Sequence, residues 1–469
     1  MDAKEGMLNE SVERIAERYM AKYGKYINSL SKSPVAKCRS IGMYDAYALG
    51  KQLEAFENLK AFCEADGSTN DLGILPKIAL DVITVAYGSS PVTIVSTVQP
   101  IDEEQGIIYF KDVVAETTAG NLTTGQSIIS AKGGQLIVPN QYASSYLTEA
   151  HGTTTTGTTA YNFVLANYPV QTEGVSIQVA LPGGTITATD DGVGHLFGVG
   201  FNGNSTVNYS TGQVVIVLTA DPGGSYAVSA VYEQSLESEA QIKTINYQLT
   251  SMPIKADVFA LRGTLGMLKS YALQKRFGKV AEDELANDLV QGINTEIFGD
   301  LLAKMQAGLV GNTNWDQTPP NTVSYFEHKQ TYKDYLAKAE AVIVQNAGRG
   351  TVSYHIAGLS VCAILQTLPG FVKLYDGNSI GGAHLFGTLD GVPIIRIPLA
   401  SQLNPLVEIL GYKGTSVFET AAVYAPYMPL TTTAMLPTAN PLVGQKAAAI
   451  WAATAVVIGN FLTQLTVTS

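Results

Sequence analysis

Hydrophobic positions in the first part of the chain recur at helical spacing. Val12, Ile15, Tyr19, Tyr23, Ile27 and Leu30 fall three or four residues apart, which lines one face of an α-helix. Leu49, Leu53, Phe56, Leu59 and Phe62 repeat the pattern after a breaker, SKSPVAK, that holds Pro34. The spacing predicts a helical arm over residues 1–77, built to cover its own core or to reach a neighbour. From Ile78 to Val114 the pattern turns extended. DVITVAY, VTIVSTV and GIIYFKDVVA are rich in Val, Ile and Tyr and are separated by GSSP and PIDEEQG, which predicts three strands.

Further on, TTTTGTTAYNFVLANY, VSIQVALPGGTITAT and QVVIVLTADPGGSYAVSAVY read as short strands with Gly-Pro turns. They predict an inserted all-β module over residues 151–235. Then Leu285, Leu289, Ile293, Ile297, Leu301 and Met305 recur every four residues, with Val290, Phe298 and Leu302 widening the face. Glu282, Asp283 and Glu284 cluster where carboxylates favour the helix dipole. This predicts one helix from about Val280 to Gln306, roughly 40 Å long at 1.5 Å per residue. Gly292 and Gly299 in its interior point to close packing against other backbone. A helix from Tyr332 to Asn346, the strand TVSYHIAG, the helix SVCAILQTL, the strands GVPIIRIP and LVEILGY and a β-prone tail complete an α+β pattern.

Composition narrows the function. Hydrophobic residues make up 46% of the 469 and charged residues 15%, a globular balance, with net charge −11. That sign argues against a surface that grips nucleic acid, which needs concentrated Lys and Arg. Residues 133–242 hold no Lys or Arg, although the chain has 29. Cys38, Cys63 and Cys362 are odd in number and lack metal-ligand spacing, as free thiols in a reducing compartment do. The opening MDAKEGMLNESVERIAERY has no continuous apolar core, so no signal peptide is expected. AAAIWAATAVVIG is too short to span a bilayer and reads as a buried strand or short core helix. A soluble protein made in a cytoplasm is expected.

Motifs of catalysis and cofactor binding fail on context. GVGFNG, Gly198 to Gly203, matches GxGxxG but is followed by turn and strand, where a dinucleotide site needs a helix N-terminus. GLSVC has Cys362 where a nucleophile elbow has its last Gly, and the five histidines are scattered without ligand spacing. No catalytic, cofactor or metal residue is assigned, and no enzyme activity is expected.

Three blocks carry a resemblance. VQP, Val98 to Pro100, followed by GIIY, FGTLDGVPIIRIP, and GYKGTSVFETAAVYAPYMPL, Gly411 to Leu430, stand in this order around the long helix. They resemble the T-even-type major capsid proteins of tailed bacteriophages, and the element order resembles the Hong Kong 97 capsid fold. The resemblance runs from about Ile78 onward, apart from the module. It implies a β segment and extended loop over residues 78–150 and 236–256, a peripheral domain over 257–330 and 431–469 with the long helix as spine, and an axial domain over 331–430. It also implies a non-enzymatic homo-oligomer of hexamers and pentamers, with scaffold, portal and decoration or vertex proteins as partners. Such a shell encloses double-stranded DNA without specific binding and touches no membrane.

The resemblance marks Gln99, Pro100, Gly411, Tyr412, Lys413, Gly414, Tyr424, Pro426 and Tyr427 as assembly residues. Leu8-Asn9-Glu10 fits the family's maturation cleavage motif, with the cut before Ser11, and Leu147-Thr148-Glu149 fits it too. The module, as a family insertion, is expected on the outer surface. A cellular nanocompartment shell of the same fold, or an exported surface-layer or adhesin-like protein, are the other readings.

Overall fold

A computed structural model describes the chain apart from residues 1–2, 34–35, 37–40, 66–82, 85, 89, 121, 127–141, 238–241, 279, 348–349, 375–381, 415–418, 434, 441 and 469. Two compact units divide it: residues 1–111, 131–133 and 249–469 form one, and residues 112–130 and 134–248 the other.

In the larger unit, helices α1 (Ala3–Ser29) and α2 (Met43–Ala65) pair. Tyr19, Tyr23, Ile27, Leu30, Leu49, Leu53 and Phe56 are buried in the same core as the rest of the unit, so the arm covers its own chain. Glu54 and Glu57 on α2 draw the partners together. Tyr19 and Arg18 donate to Glu54, while Tyr23 donates to Glu57 at 2.7 Å and Lys22 pairs with it. Gly50 leaves the room that the Tyr19 ring fills: a Cβ there would stand 2.4 Å from it.

The stretch read as two strands over residues 81–98 is mostly helical. Residues 83–84 and 86–88 are helix, and α3 (Val92–Val95) is a helical turn, leaving only β1 (Thr97–Val98) extended. Ile83, Val92, Thr93, Ile94 and Val95 are all buried. A residue run buried on every side has no need of alternation, so β-branched composition did not decide its backbone. Pro91 stands at the N-cap of α3, where its missing N–H costs nothing. The third stretch is a strand, β2 (Gln105–Ala115).

In the smaller unit one sheet has the order β3-β10-β5-β6-β7 and a second β4-β9-β8. The strands are β3 (Tyr146–Thr153), β4 (Ala160–Val164), β5 (Val170–Leu181), β6 (Gly184–Asp190), β7 (Leu196–Phe197), β8 (Thr206–Val207), β9 (Gln213–Val217) and β10 (Ala227–Gln234). Leu147, Ile177, Val179, Val214, Ile216 and Tyr232 fill the space within the unit. Pairing of β3 with β10 starts at Tyr146↔Glu233, ahead of the border expected at residue 151. The false dinucleotide motif has a structural use here. A Cβ on Gly198 would sit 2.0 Å from the Thr187 carbonyl oxygen, so this glycine admits backbone rather than phosphate.

A two-stranded ribbon joins β2 to β11 (Ile245–Lys255). β12 (Asp257–Gly266) and α4 (Met267–Phe277) follow, and then α5 (Ala281–Ala307), the long helix. Leu289, Ile293, Ile297, Phe298, Leu301, Leu302 and Met305 are its buried residues besides Ala281. Its glycines admit side chains, not backbone as expected. A Cβ on Gly292 would meet Leu261 at 2.7 Å, and one on Gly299 would meet Gln402 at 3.2 Å.

The rest supplies β13 (Gly311–Asp316), α6 (Tyr325–Gln330), α7 (Tyr332–Ala347), β14 (Tyr354–Gly358), α8 (Leu359–Leu365), β15 (Phe371–Lys373), β16 (His384–Leu389), β17 (Val392–Ile397), β18 (Val407–Gly411), β19 (Ala422–Thr432), β20 (Leu436–Pro437), β21 (Val443–Val456) and β22 (Leu462–Thr468). A seven-stranded mixed sheet has the order β13-β22-β18-β14-β17-β16-β15, and a second sheet runs β1-β19-β21-β12 with β20 beside β21. The apolar run near the end is thus strand β21. Glu408 is fully buried in the larger sheet, its carboxylate accepting from Tyr332 and facing His355 Nδ1 at 2.7 Å, so no charge lies there without partners. The architecture is α+β.

Candidate functional site

The residues singled out in the sequence blocks meet along one seam of the larger unit. β1 lies parallel to β19, with Thr97 opposite Val423 and Val98 opposite Tyr424. The pairing runs on past the strand. Gln99 N–H donates to the Tyr424 carbonyl at 2.9 Å and Ile101 N–H to the Pro426 carbonyl at 3.1 Å. Gln99, Pro100, Tyr424, Pro426 and Tyr427 are therefore one local structure, though more than 300 residues separate the two blocks.

Proline in a central strand removes a ladder donor. β19 has Pro426 and Pro429, and its pairing with β21 shifts register between Pro426 and Met428 and again between Met428 and Thr431. The strand bulges where it lacks N–H groups, which bends it. Tyr424 is buried, and the Tyr427 ring lies 5.7 Å from Trp451 on β21.

The Gly-Tyr-Lys-Gly turn closes the other end. Gly411 admits the fully buried Tyr354 ring: a Cβ there would stand 2.2 Å from it. Tyr412 packs edge-on against Phe461 at 4.9 Å. Lys413 Nζ donates to the carbonyls of Ser96 at 2.7 Å and Thr93 at 2.8 Å. Those carbonyls belong to the last turn of α3, whose C-terminal groups lack helical partners and attract a cation. Gly414 N–H donates to the Glu419 carbonyl at 2.8 Å, and a Cβ on Gly414 would meet Glu419 at 2.9 Å. Phe418 lies outside the described residues.

Other residues complete the seam without a sequence signal. Tyr44 donates to the Val98 carbonyl at 2.5 Å, and Ser353 exchanges bonds with the Lys413 backbone at 3.1 and 3.2 Å. A cleft of about 310 Å³ beside the seam is lined by Gln52, Pro100, Ile101, Pro426, Tyr427 and Met428 among others. Lys51 and Asp102, also in its wall, pair at 3.0 Å.

The cleavage candidates differ. Glu10 lies in α1, and its side chain is outside the described residues. Glu149 lies within β3 and is the hub of a polar cluster. Its carboxylate accepts from the Tyr232 hydroxyl, from Asn167 Nδ2 at 3.1 Å and from the Ala166 amide at 3.0 Å, with His151 Nε2 at 3.3 Å. Burial alone would raise its pKa, but these partners outweigh it and hold the carboxyl below its ordinary value. The thiol of Cys362 is pushed up to about 12, first by burial and then by Glu408, which makes it a poor nucleophile. Among the described residues no group of three His, Cys, Asp or Glu is placed to hold a metal. No described helix is long and apolar enough to cross a membrane.

No curated protein matches the chain. Solved structures with partial likeness include the capsid of Myoviridae phage XM1, at 10% identity over 50% of this chain and 81% of that one, with a TM-score of 0.31. Gordonia phage Cozz matches at 10% identity over 50% and 76%, with a TM-score of 0.33. The virus-like particle from Pyrococcus furiosus matches at 9% identity over 47% and 80%, with a TM-score of 0.30. Such scores leave the fold to be argued from the chain's own elements. The family model described as "Major capsid protein Gp23" matches residues 76–468, which take in both sides of the seam. The chain belongs to the Gp23 major capsid protein family.

Proposed function

We propose that many copies of this chain assemble into the icosahedral shell that encloses the double-stranded DNA of a tailed bacteriophage, on a Hong Kong 97-type fold and without enzymatic activity. The observation that carries this reading is the parallel β1–β19 pairing closed by Lys413. It makes one rigid element of two of the three blocks by which the sequence resembles capsid subunits. A shell built from modest contacts repeated by symmetry needs rigid subunits more than it needs any single strong site. On this reading residues 331–430 are the axial domain, residues 257–330 and 431–469 the peripheral domain with α5 as spine, and β2 with β11 belongs to the extended loop. The smaller unit, without cations over residues 133–242, rides outside and faces solvent. Assembly takes place in the host cytoplasm, as hexamers with pentamers or a separate vertex protein, together with scaffold and portal. The acidic balance keeps the wall from gripping the genome.

Electron microscopy of the full chain, produced alone and with its neighbouring virion proteins, tests the proposal. Closed shells, sheets or tubes with hexagonal order are expected. A uniform monomer or dimer under both conditions overturns it.

A further inference from the structure

β12 and α4 form an exposed surface whose chemistry differs from the rest of the chain. β12 is an edge: it pairs with β21 along its length and with no other described strand. Side chains alternate across a strand, so Val258 and Arg262 share one face, and Leu261, whose methyl end reaches α5 at Gly292, lies on the other. α4 then continues with no buried residue at all. Met267 is 58% exposed, Leu268 74% and Tyr271 62%, and at 3.6 residues per turn the three lie on one side of the helix.

An eleven-residue helix is marginal by itself in water and ordinarily draws its stability from a packed apolar face. Three large apolar side chains left this open on one side of a short helix are a surface awaiting cover. Its charge says what covers it. Lys255, Arg262, Lys269, Lys275 and Arg276 stand between residues 255 and 278 against the single acid Asp257, in a chain of net charge −11. The rest of the same chain is therefore an acidic partner for a basic, apolar patch. Phosphates would satisfy the cations but leave Met267, Leu268 and Tyr271 uncovered.

We propose that β12 and α4 dock onto the acidic surface of a second copy of this chain, burying Met267, Leu268 and Tyr271 and placing Lys269, Lys275 and Arg276 against its carboxylates. The inference rests on the shell reading above and adds the surface through which copies meet.

The test uses the full chain with K269E/K275E/R276E and, separately, with Leu268→Ser and Tyr271→Ser combined. Because these side chains are exposed in the subunit, both variants are expected to keep the thermal midpoint of the unassembled protein. Assembly is followed by sedimentation and electron microscopy at low and high NaCl. Both variants are expected to need at least tenfold more protein than the wild type to assemble. The charge variant's deficit is expected to shrink as the screening length falls from about 10 Å at 0.1 M to about 3 Å at 1 M salt.

Variants that assemble at the wild-type concentration overturn this docking surface and leave the shell reading standing. A wild type that remains monomeric overturns both. Variants that assemble normally but lose the ability to retard duplex DNA overturn it in favour of a nucleic-acid surface. Should either variant lose its midpoint, Gln274→Cys supplies the answer. Maleimide labelling at that position, read by mass spectrometry, is expected to slow at least tenfold on assembly, and an unchanged rate overturns the proposal.

Discussion

The ammonium of Lys413 donates to the carbonyl oxygen of Ser96 at 2.7 Å, although the two stand 317 positions apart in the chain. Its second bond, to Thr93, makes the lysine a clasp on the last turn of α3. A hydrogen bond to a charged group contributes about 1.5–3 kcal/mol. Lys413→Met keeps the aliphatic stem and removes the donors. It is expected to lower stability by about 2 kcal/mol in urea unfolding and to raise amide exchange over residues 92–98. An unchanged midpoint would show that the clasp contributes nothing.

Gly411 and Tyr354 make a stricter test of packing. A methyl group at position 411 collides with a rigid, fully buried ring. Gly411→Ala is expected to cost about 3 kcal/mol, at the upper end for overpacking. Tyr354→Leu in the same chain should recover part of that loss, because the two residues share one space. The Tyr354 hydroxyl is buried without a hydrogen-bond partner among the described residues. Tyr354→Phe alone should therefore be neutral or stabilising. If the two losses simply add in calorimetry, the contact is not the cause.

His384 predicts a pH dependence. It faces Arg396 across the β16–β17 pair, and Arg396 Nε donates to His384 Nε2 at 3.0 Å, while Nδ1 lies 2.9 Å from the Gly382 carbonyl. That arrangement suits the neutral ring with its proton on Nδ1. Burial first, and the Arg396 charge besides, hold the pKa below its ordinary value despite the Gly382 bond. Between the folded pKa and about 6.5 in the unfolded chain, the unfolded state binds the extra proton. Stability is thus fully present above pH 6.5 and falls as pH drops toward the folded value. Unfolding midpoints from pH 8 to pH 5 should show this slope, and His384→Gln should flatten it. An equal slope in the variant would assign the effect elsewhere.

The two cleavage motifs separate by environment. A protease needs a segment that can leave its packing and enter the cleft; Glu149 is fixed within a paired strand by four neighbours, whereas Glu10 has only the first turns of α1 to unwind. In particles, mass spectrometry is expected to find chains beginning at Ser11 and to find intact chains for Glu10→Ala. Glu149→Ala should leave processing unchanged while lowering the stability of the smaller unit by about 3 kcal/mol, since buried Tyr232 and half-buried Asn167 lose their acceptor. Cleavage after Glu149 would reverse the assignment.

What the sequence made legible follows from what each element needs. α1, α2 and α5 bury one face, so their residues had to recur every three or four positions, and periodicity found them. The segment before Thr97 is buried all round, so its Val and Ile suggested strands where the chain turns helically. Gln99, Tyr424 and Pro426 were marked through resemblance alone, and nothing local predicted that they meet. Tyr44 and Ser353 act on the seam through single bonds to distant backbone, which leave no pattern in their own neighbourhoods. Gly198, Gly292 and Gly411 show the remaining limit. A glycine signals that something comes close, but only the fold tells whether it is a carbonyl, a leucine or a tyrosine ring.

The parallel pairing of β1 with β19 also sets a schedule for synthesis. At about 5–20 residues per second, a ribosome that has finished Ser96 needs roughly 15–60 s to reach Lys413. Until then α3 and β1 have no clasp and no neighbouring strand from β19, while residues 134–248 are already complete and can condense by themselves. The subunit therefore becomes rigid late, only once β19 and Lys413 have been made. A nascent chain that emerges beside others is kept from joining them early by the order in which its own two halves of the seam are made.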